Sequence, residues 1–208
     1  MPPATAASTA MRRLRTPLLA ALLLSTLFSN PLHANERARS IDRAGNVDDS
    51  ARLALLSAME DPASFEDKYD AQVWLMAKSA PLERYIKDPE RRMHILKAVH
   101  REATRAGVSP EMVLAVIQIE SAFDPYAISR VGARGIMQVM PFWKHEIGRP
   151  DDNLMNLETN LRYGCAILKH YIEKAKGNMP NALAYYNGSY GRHTYSSKVL
   201  DAWANRWR

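Results

Sequence analysis

The chain has 208 residues, with 28 Lys+Arg against 22 Asp+Glu, a net charge of +6 and an apolar fraction of 47%. That length suits one domain with a small extension, and that apolar content supports a packed core, which excludes wholesale disorder. A single cysteine excludes an internal disulfide and a multi-cysteine zinc site, and 9 Gly and 12 Pro without a period exclude collagen-like or low-complexity chains.

Residues 11–34 read MRRLRTPLLAALLLSTLFSNPLHA. A basic head (Arg12, Arg13, Arg15), an apolar run from Pro17 to Phe28 and a break at Asn30–Pro31 are the layout of a secretory signal peptide. Cleavage is expected after Ala34, with Met11 as the true start and the periplasm as destination. The apolar run is shorter than the ~20 residues of a membrane span, so no stable membrane anchor is expected. Residues 35–45 read as a polar arm.

The rest reads as helices. Apolar residues recur at helical spacing over 47–59 (Val47, Leu53, Leu56, Met59) and 69–79 (Val73, Trp74, Met76). Asp88–Pro89 and Ser109–Pro110 are each a capping residue followed by proline at the first helical position. The first of these helices carries Met93, Leu96, Val99 and Ala103 and closes at Gly107. Asn156 opens a long helix with Leu157, Leu161, Gly164, Leu168 and Ile172 on one stripe, ending at Gly177. Pro180 opens a short helix that stops at Asn187–Gly188. Trp203 and Trp207, four apart, can share a helix face and anchor the C-terminal end on the core.

The helix SPEMVLAVIQIES places Val113, Val116, Ile117 and Glu120 on one face, with Glu120 in its last turn. An apolar surround and the negative end of the helix dipole both disfavour an ionised carboxylate. A glutamate held protonated is a ready general acid. The plain alternative is a solvent-facing glutamate at a fraying helix end. The following stretch, ESAFDPYAISRVGARGIMQVMP, has Gly132 and Gly135 bracketing a turn where backbone can approach a ligand. Gln138 offers an amide and Met137 a soft apolar surface. Downstream, ALAYYNGSYG puts Tyr185, Tyr186 and Asn187 at a helix end. Tyrosines beside amides suit carbohydrate, although core packing of Met137 and Tyr185 and capping by Asn187 explain each singly.

In the order ES, GxRGIMQVMP, YYNGSYG, residues 105–208 resemble the soluble-type (SLT) lytic transglycosylases, relatives of goose-type lysozyme. The resemblance implies an all-α chain of the α+β lysozyme-like superfamily, with few or no strands. It would have a signal peptide (1–34), an N-terminal arm and helical extension (35–104), and the catalytic domain (105–208). It implies that Glu120 is the catalytic acid, and that Ser121, Ser129, Met137, Gln138, Tyr186 and Asn187 bind substrate. Tyr185 replaces the alanine of the family's Ala-Tyr-Asn motif, and Asn187-Gly188-Ser189-Tyr190-Gly191 replaces its Asn-Ala-Gly-Pro-Gly. The implied reaction is non-hydrolytic cleavage of the MurNAc-β-1,4-GlcNAc bond of peptidoglycan glycan strands, giving 1,6-anhydromuramoyl products.

Most glycosidases pair two carboxylates across the scissile bond. Asp124, before Pro125, suits a turn, yet it remains open as a second catalytic group, as do Glu146, Asp151 and Asp152. Two rivals share the fold: a hydrolytic muramidase, and a non-catalytic peptidoglycan-binding or assembly protein. The six histidines are scattered without H-E-x-x-H, so no metal and no cofactor is expected. Cys165 reads as a buried inert thiol. A nucleic-acid partner is not expected, since no basic stripe with interleaved aromatics occurs. The charge agrees: without Arg12, Arg13 and Arg15 the chain holds 25 basic and 22 acidic residues.

Overall fold

The computed structural model describes residues 68–208. The signal-peptide segment, the polar arm and the helix expected over 47–59 lie outside the described residues. In chain order the helices are α1 (Lys68–Leu82), α2 (Pro89–Ala106), α3 (Pro110–Glu120), α4 (Trp143–Ile147), α5 (Leu157–Lys174), α6 (Met179–Tyr186) and α7 (Thr194–Ala202), followed by a π-helical turn (Trp203–Trp207). Among the described residues the only strand-like features are isolated bridges, Ile128 with Arg134 and Arg134 with Val139. The all-α expectation holds.

The helix starts follow the sequence signals. The Asp88 carboxylate accepts from the backbone N–H of Glu90 and Arg91, Ser109 Oγ from Met112, and Asn156 Oδ1 from Thr159. Each cap satisfies donors that the first turn leaves without partners. At the other end of α2, Gly107 takes the left-handed conformation, φ +65°. Pro180 is the second residue of α6 rather than its opener; Asn178 is the cap and accepts from the N–H of Asn181.

α3 differs from the expected one-sided helix. Met112 to Ile117 are all buried, so the helix is apolar all round and runs through the core. It packs on α2, α7 and the π-helical turn, while α5 packs on α2 and α6. Glu120 is therefore not the end of a surface stripe. It is the point where a core helix emerges. The C-terminal turn is pinned to this helix: Trp207 is fully buried and donates from Nε1 to Gln118 Oε1 (2.9 Å).

α1 docks beside the start of α3. Trp74 Nε1 donates to Glu111 Oε1 (2.6 Å), and Ser109 Oγ donates to Glu111 Oε2 (2.6 Å). Burial is the largest influence on the Glu111 carboxyl and opposes ionisation. The hydrogen bonds from Ser109, Trp74 and its own backbone, with the Lys78 charge, together outweigh it and hold the group below its ordinary range. His100 lies edge-on to Trp74, with ring centroids 5.0 Å apart. Burial lowers its pKa, against the opposing pull of Glu111. Both groups have folded values below their unfolded ones. Their stabilisation is thus present above the unfolded values and fades as pH falls through the folded ones, His100 first and Glu111 at more acid pH. Urea midpoints should fall as pH drops below the ordinary histidine range and again as it drops below the ordinary carboxylate range. Glu111→Gln should shrink the second fall; an unchanged second fall would assign it elsewhere.

Candidate active site

The C-terminus of α3 is fixed by the chain that follows it. Ser121 donates from Oγ to the Ile136 carbonyl (2.7 Å). Ala122 and Phe123 then take positive φ, +51° and +68°. Such conformations are costly for residues other than glycine, at about 1–3 kcal/mol each. Burial of Phe123 offsets this, because the turn drops its ring between Tyr85 and Trp207, with centroids 5.1 and 5.5 Å away. Glu120 is thus held at the edge of a cavity by a helix end that Ser121 and Phe123 tie down.

The opposite side of the site is the loop 127–139. Its backbone is knitted by bonds from Gly135 N to Ala127 O (2.9 Å) and between Arg134 and Val139 in both directions (2.9 Å each). Asn160, buried on α5, receives Met137 N–H on Oδ1 and donates from Nδ2 to the carbonyls of Arg134 and Leu154, all at 2.8 Å. Gly135, at φ +74°, allows this approach: a Cβ there would lie 2.3 Å from Asn160 Nδ2 and 2.5 Å from the Leu154 carbonyl. The close approach expected at Gly135 is therefore to the protein's own interior, not to a ligand. Gly164 of α5 plays a similar part, since a Cβ there would meet Met137 Sδ at 2.4 Å.

The cavity between these parts has a volume of about 820 Å³, within the range of about 300–1,000 Å³ usual for ligand sites. Glu120, Ser129, Gln138, Tyr186 and Asn187 of the sequence-predicted set line it, as do Trp143, Tyr171, Tyr185, Tyr195 and the cations Arg130, Arg192 and Lys198. Ser121 and Met137 do not. Ser121 uses its hydroxyl to tie α3 to the loop, and Met137 is fully buried against Gly164. Gln138 sits at φ +52° and donates both amide hydrogens, to Ala127 O (3.1 Å) and Gly135 O (3.0 Å), so it offers a ligand only its carbonyl oxygen.

Glu120 is the one carboxylate lining the cavity among the described residues. Asp124 lies off the wall and accepts from Tyr126 N–H (2.9 Å) in a turn. Glu146, Asp151 and Asp152 are also off the wall, and Asp152 accepts the Tyr163 hydroxyl. Tyr195 O–H donates to Glu120 Oε1 (2.7 Å). Tyr195 is absent from the sequence-predicted set because it lies 75 residues away with no shared motif. Tyr186 donates to the Met137 carbonyl (2.8 Å), and its pKa is raised well above the ordinary value by burial and then by the nearby Glu120 charge. Tyr186 is a neutral strut between α6 and the loop. Cys165 is buried, and burial pushes its thiol pKa up, as an inert thiol requires. Among the described residues no group of three His, Cys, Asp or Glu is placed to hold a metal ion.

Tyr195→Phe removes one donor to Glu120 and leaves the ring. About a tenfold loss of turnover is expected, in line with a charge-assisted hydrogen bond of about 1.5 kcal/mol. Measured rates within a factor of two of the parent would remove Tyr195 from the site.

The chain is similar to the membrane-bound lytic murein transglycosylases C of Yersinia pestis (strain Pestoides F) and Yersinia pseudotuberculosis (serotype O:1b, strain IP 31758). Each is 34% identical over 119 residues, covering 49% of this chain and 33% of the relative, so the match spans about a third of those proteins. Among the described residues here, no helix is long and apolar enough to cross a membrane. The profile of the family described as Transglycosylase SLT domain matches residues 97–200, half of the chain, from the middle of α2 to the last turn of α7. The chain belongs to the Transglycosylase SLT domain family.

Proposed function

We propose that this chain is a peptidoglycan lytic transglycosylase that cleaves the MurNAc-β-1,4-GlcNAc bond without water. The observation that carries this reading is that Glu120 is, among the described residues, the single carboxylate on an aromatic and amide-lined cavity. A hydrolase of the common two-carboxylate kind would need a second acid on the wall to serve as nucleophile or to activate water. One carboxylate suffices if the substrate supplies both the stabilising group and the nucleophile.

In the proposed cycle, protonated Glu120 donates to the glycosidic oxygen as the C1–O bond breaks. The 2-acetamido carbonyl of MurNAc closes onto C1. The MurNAc C6 hydroxyl then attacks C1, displaces the acetamido oxygen and gives its proton to the Glu120 carboxylate. The acid is regenerated and a 1,6-anhydro ring remains. Tyr195 suits both half-reactions: its hydroxyl orients the carboxyl and stabilises the anion that exists between them. The Gln138 carbonyl can accept from a substrate N–H or O–H. Arg130, Arg192 and Lys198 give the cavity a positive rim suited to a polymer bearing carboxylates. Cleavage after Ala34 and export to the periplasm, where such a polymer lies, belong to the same proposal.

The test is mass analysis of the material released from purified sacculi. Muropeptides with 1,6-anhydro ends are expected. Reducing muramic ends would make the chain a hydrolytic muramidase, and binding without release would make it a non-catalytic wall protein.

A further inference from the structure

Three tyrosine rings lead from the core to the surface beside the cavity. Tyr171 is 2% exposed; Tyr185, half-buried, lines the cavity; Tyr190 is 59% exposed. The Tyr185 and Tyr190 rings are nearly parallel, at 12° with centroids 4.3 Å apart, and Tyr171 and Tyr185 also lie at 12°, 5.9 Å apart. With one face of Tyr190 against Tyr185, its exposed area is the other face and the ring edge. The ring is held in place by this stack. The turn that presents it is closed by Ser189 N to Ala184 O (2.8 Å) and Arg192 N to Ser189 O (2.9 Å). Gly188 and Gly191 flank this turn at φ +70° and +84°.

A fixed aromatic face next to a polymer-sized cavity fits the apolar C–H face of a sugar ring, with hydroxyls left at the edge to bond to water or protein. Because the ring is already ordered, binding loses little side-chain entropy. We infer that Tyr190, stacked on Tyr185, is a platform for a further pyranose ring of the glycan, beyond the sugars held around Glu120. This deepens the glycan-cleaving reading and rests on it. Tyr190 would act on chain length: a glycan long enough to leave the cavity reaches it, and a short one does not.

The test uses the full chain carrying Glu120→Gln, so that nothing is turned over, titrated calorimetrically with β-1,4-linked GlcNAc oligomers of two and six sugars. Adding Tyr190→Ala should weaken hexamer binding about three- to tenfold, the range for one lost aromatic contact, with no change for the dimer. Tyr190→Phe should keep hexamer affinity, since it keeps the face. Unchanged hexamer binding in the alanine variant would overturn the platform while leaving the glycan reading intact. Equal weakening of dimer and hexamer would also overturn it, since the ring would then support the cavity rather than extend it. Failure of the Glu120→Gln chain itself to bind the hexamer would overturn the platform, while the glycan-cleaving reading stands or falls on the products released from sacculi.

Discussion

Replacing Glu120 by glutamine is expected to lower muropeptide release from sacculi by about 10²–10⁴-fold, the usual contribution of a positioned general acid and base. Glutamine is nearly isosteric and can still accept the Tyr195 hydroxyl on its amide oxygen, so the cavity should keep its shape. It has no acidic proton for the leaving oxygen and no anion to take the C6 hydroxyl proton. In the proposed cycle both half-reactions would therefore fail together. Among the described residues no second carboxylate lines the cavity to substitute for it. Thermal unfolding measured beside turnover separates chemistry from stability: Tm should be unchanged while activity is lost. Retention of more than a tenth of the parent turnover would end the assignment of Glu120.

Asn160→Ala should have the largest effect on stability. The amide makes three hydrogen bonds, two of them buried (to Met137 N and Leu154 O) and one half-buried (to Arg134 O). Truncation strands the Met137 N–H and the Leu154 carbonyl away from water, at about 1–3 kcal/mol for each that finds no other partner, while the Arg134 carbonyl keeps the Val139 N–H. A total near 2–6 kcal/mol is expected, a large part of the ~5–15 kcal/mol that keeps a domain folded. Activity should also fall in the folded fraction, because the same bonds hold the loop that presents Gln138 to the cavity and receives Tyr186. Asn160→Asp should not rescue it. A carboxylate still accepts from Met137, but it faces two carbonyls with no proton to give. Urea denaturation gives the first quantity and turnover per folded molecule the second. A loss below 1 kcal/mol with normal turnover would show that the loop stands without this amide.

Much of the helix framework was legible because its signals are local. Asp88, Ser109 and Asn156 announce their helices through side-chain caps whose partners lie two or three residues away. The two helices not anticipated, α4 and α7, have Phe142 and His193 at their N-cap positions, and neither makes a side-chain cap bond. The continuous apolar run of α3 was visible, but a run without alternation does not say that every side is covered. That depended on α2, α7 and the C-terminal turn closing around it. The buried Glu102 belongs with these cases. Its partners Arg101 (3.0 Å) and Arg105 (3.1 Å) are near in sequence, but Arg162 (3.7 Å) comes from α5. Nothing at position 102 announces a buried ion cluster.

The same division runs through the site. The motif resemblance singled out Glu120, Ser121, Ser129, Met137, Gln138, Tyr186 and Asn187, because a motif is a statement about chemistry at fixed spacing, and all but Ser121 and Met137 line the cavity. Tertiary structure decided the rest. It gave Ser121 and Met137 to the support of the loop, brought Tyr195 onto Glu120 and kept the other candidate acids off the wall. The reason is physical: caps and helix faces are set within a few residues, whereas the surroundings of a carboxylate are set by whichever distant chains pack against it.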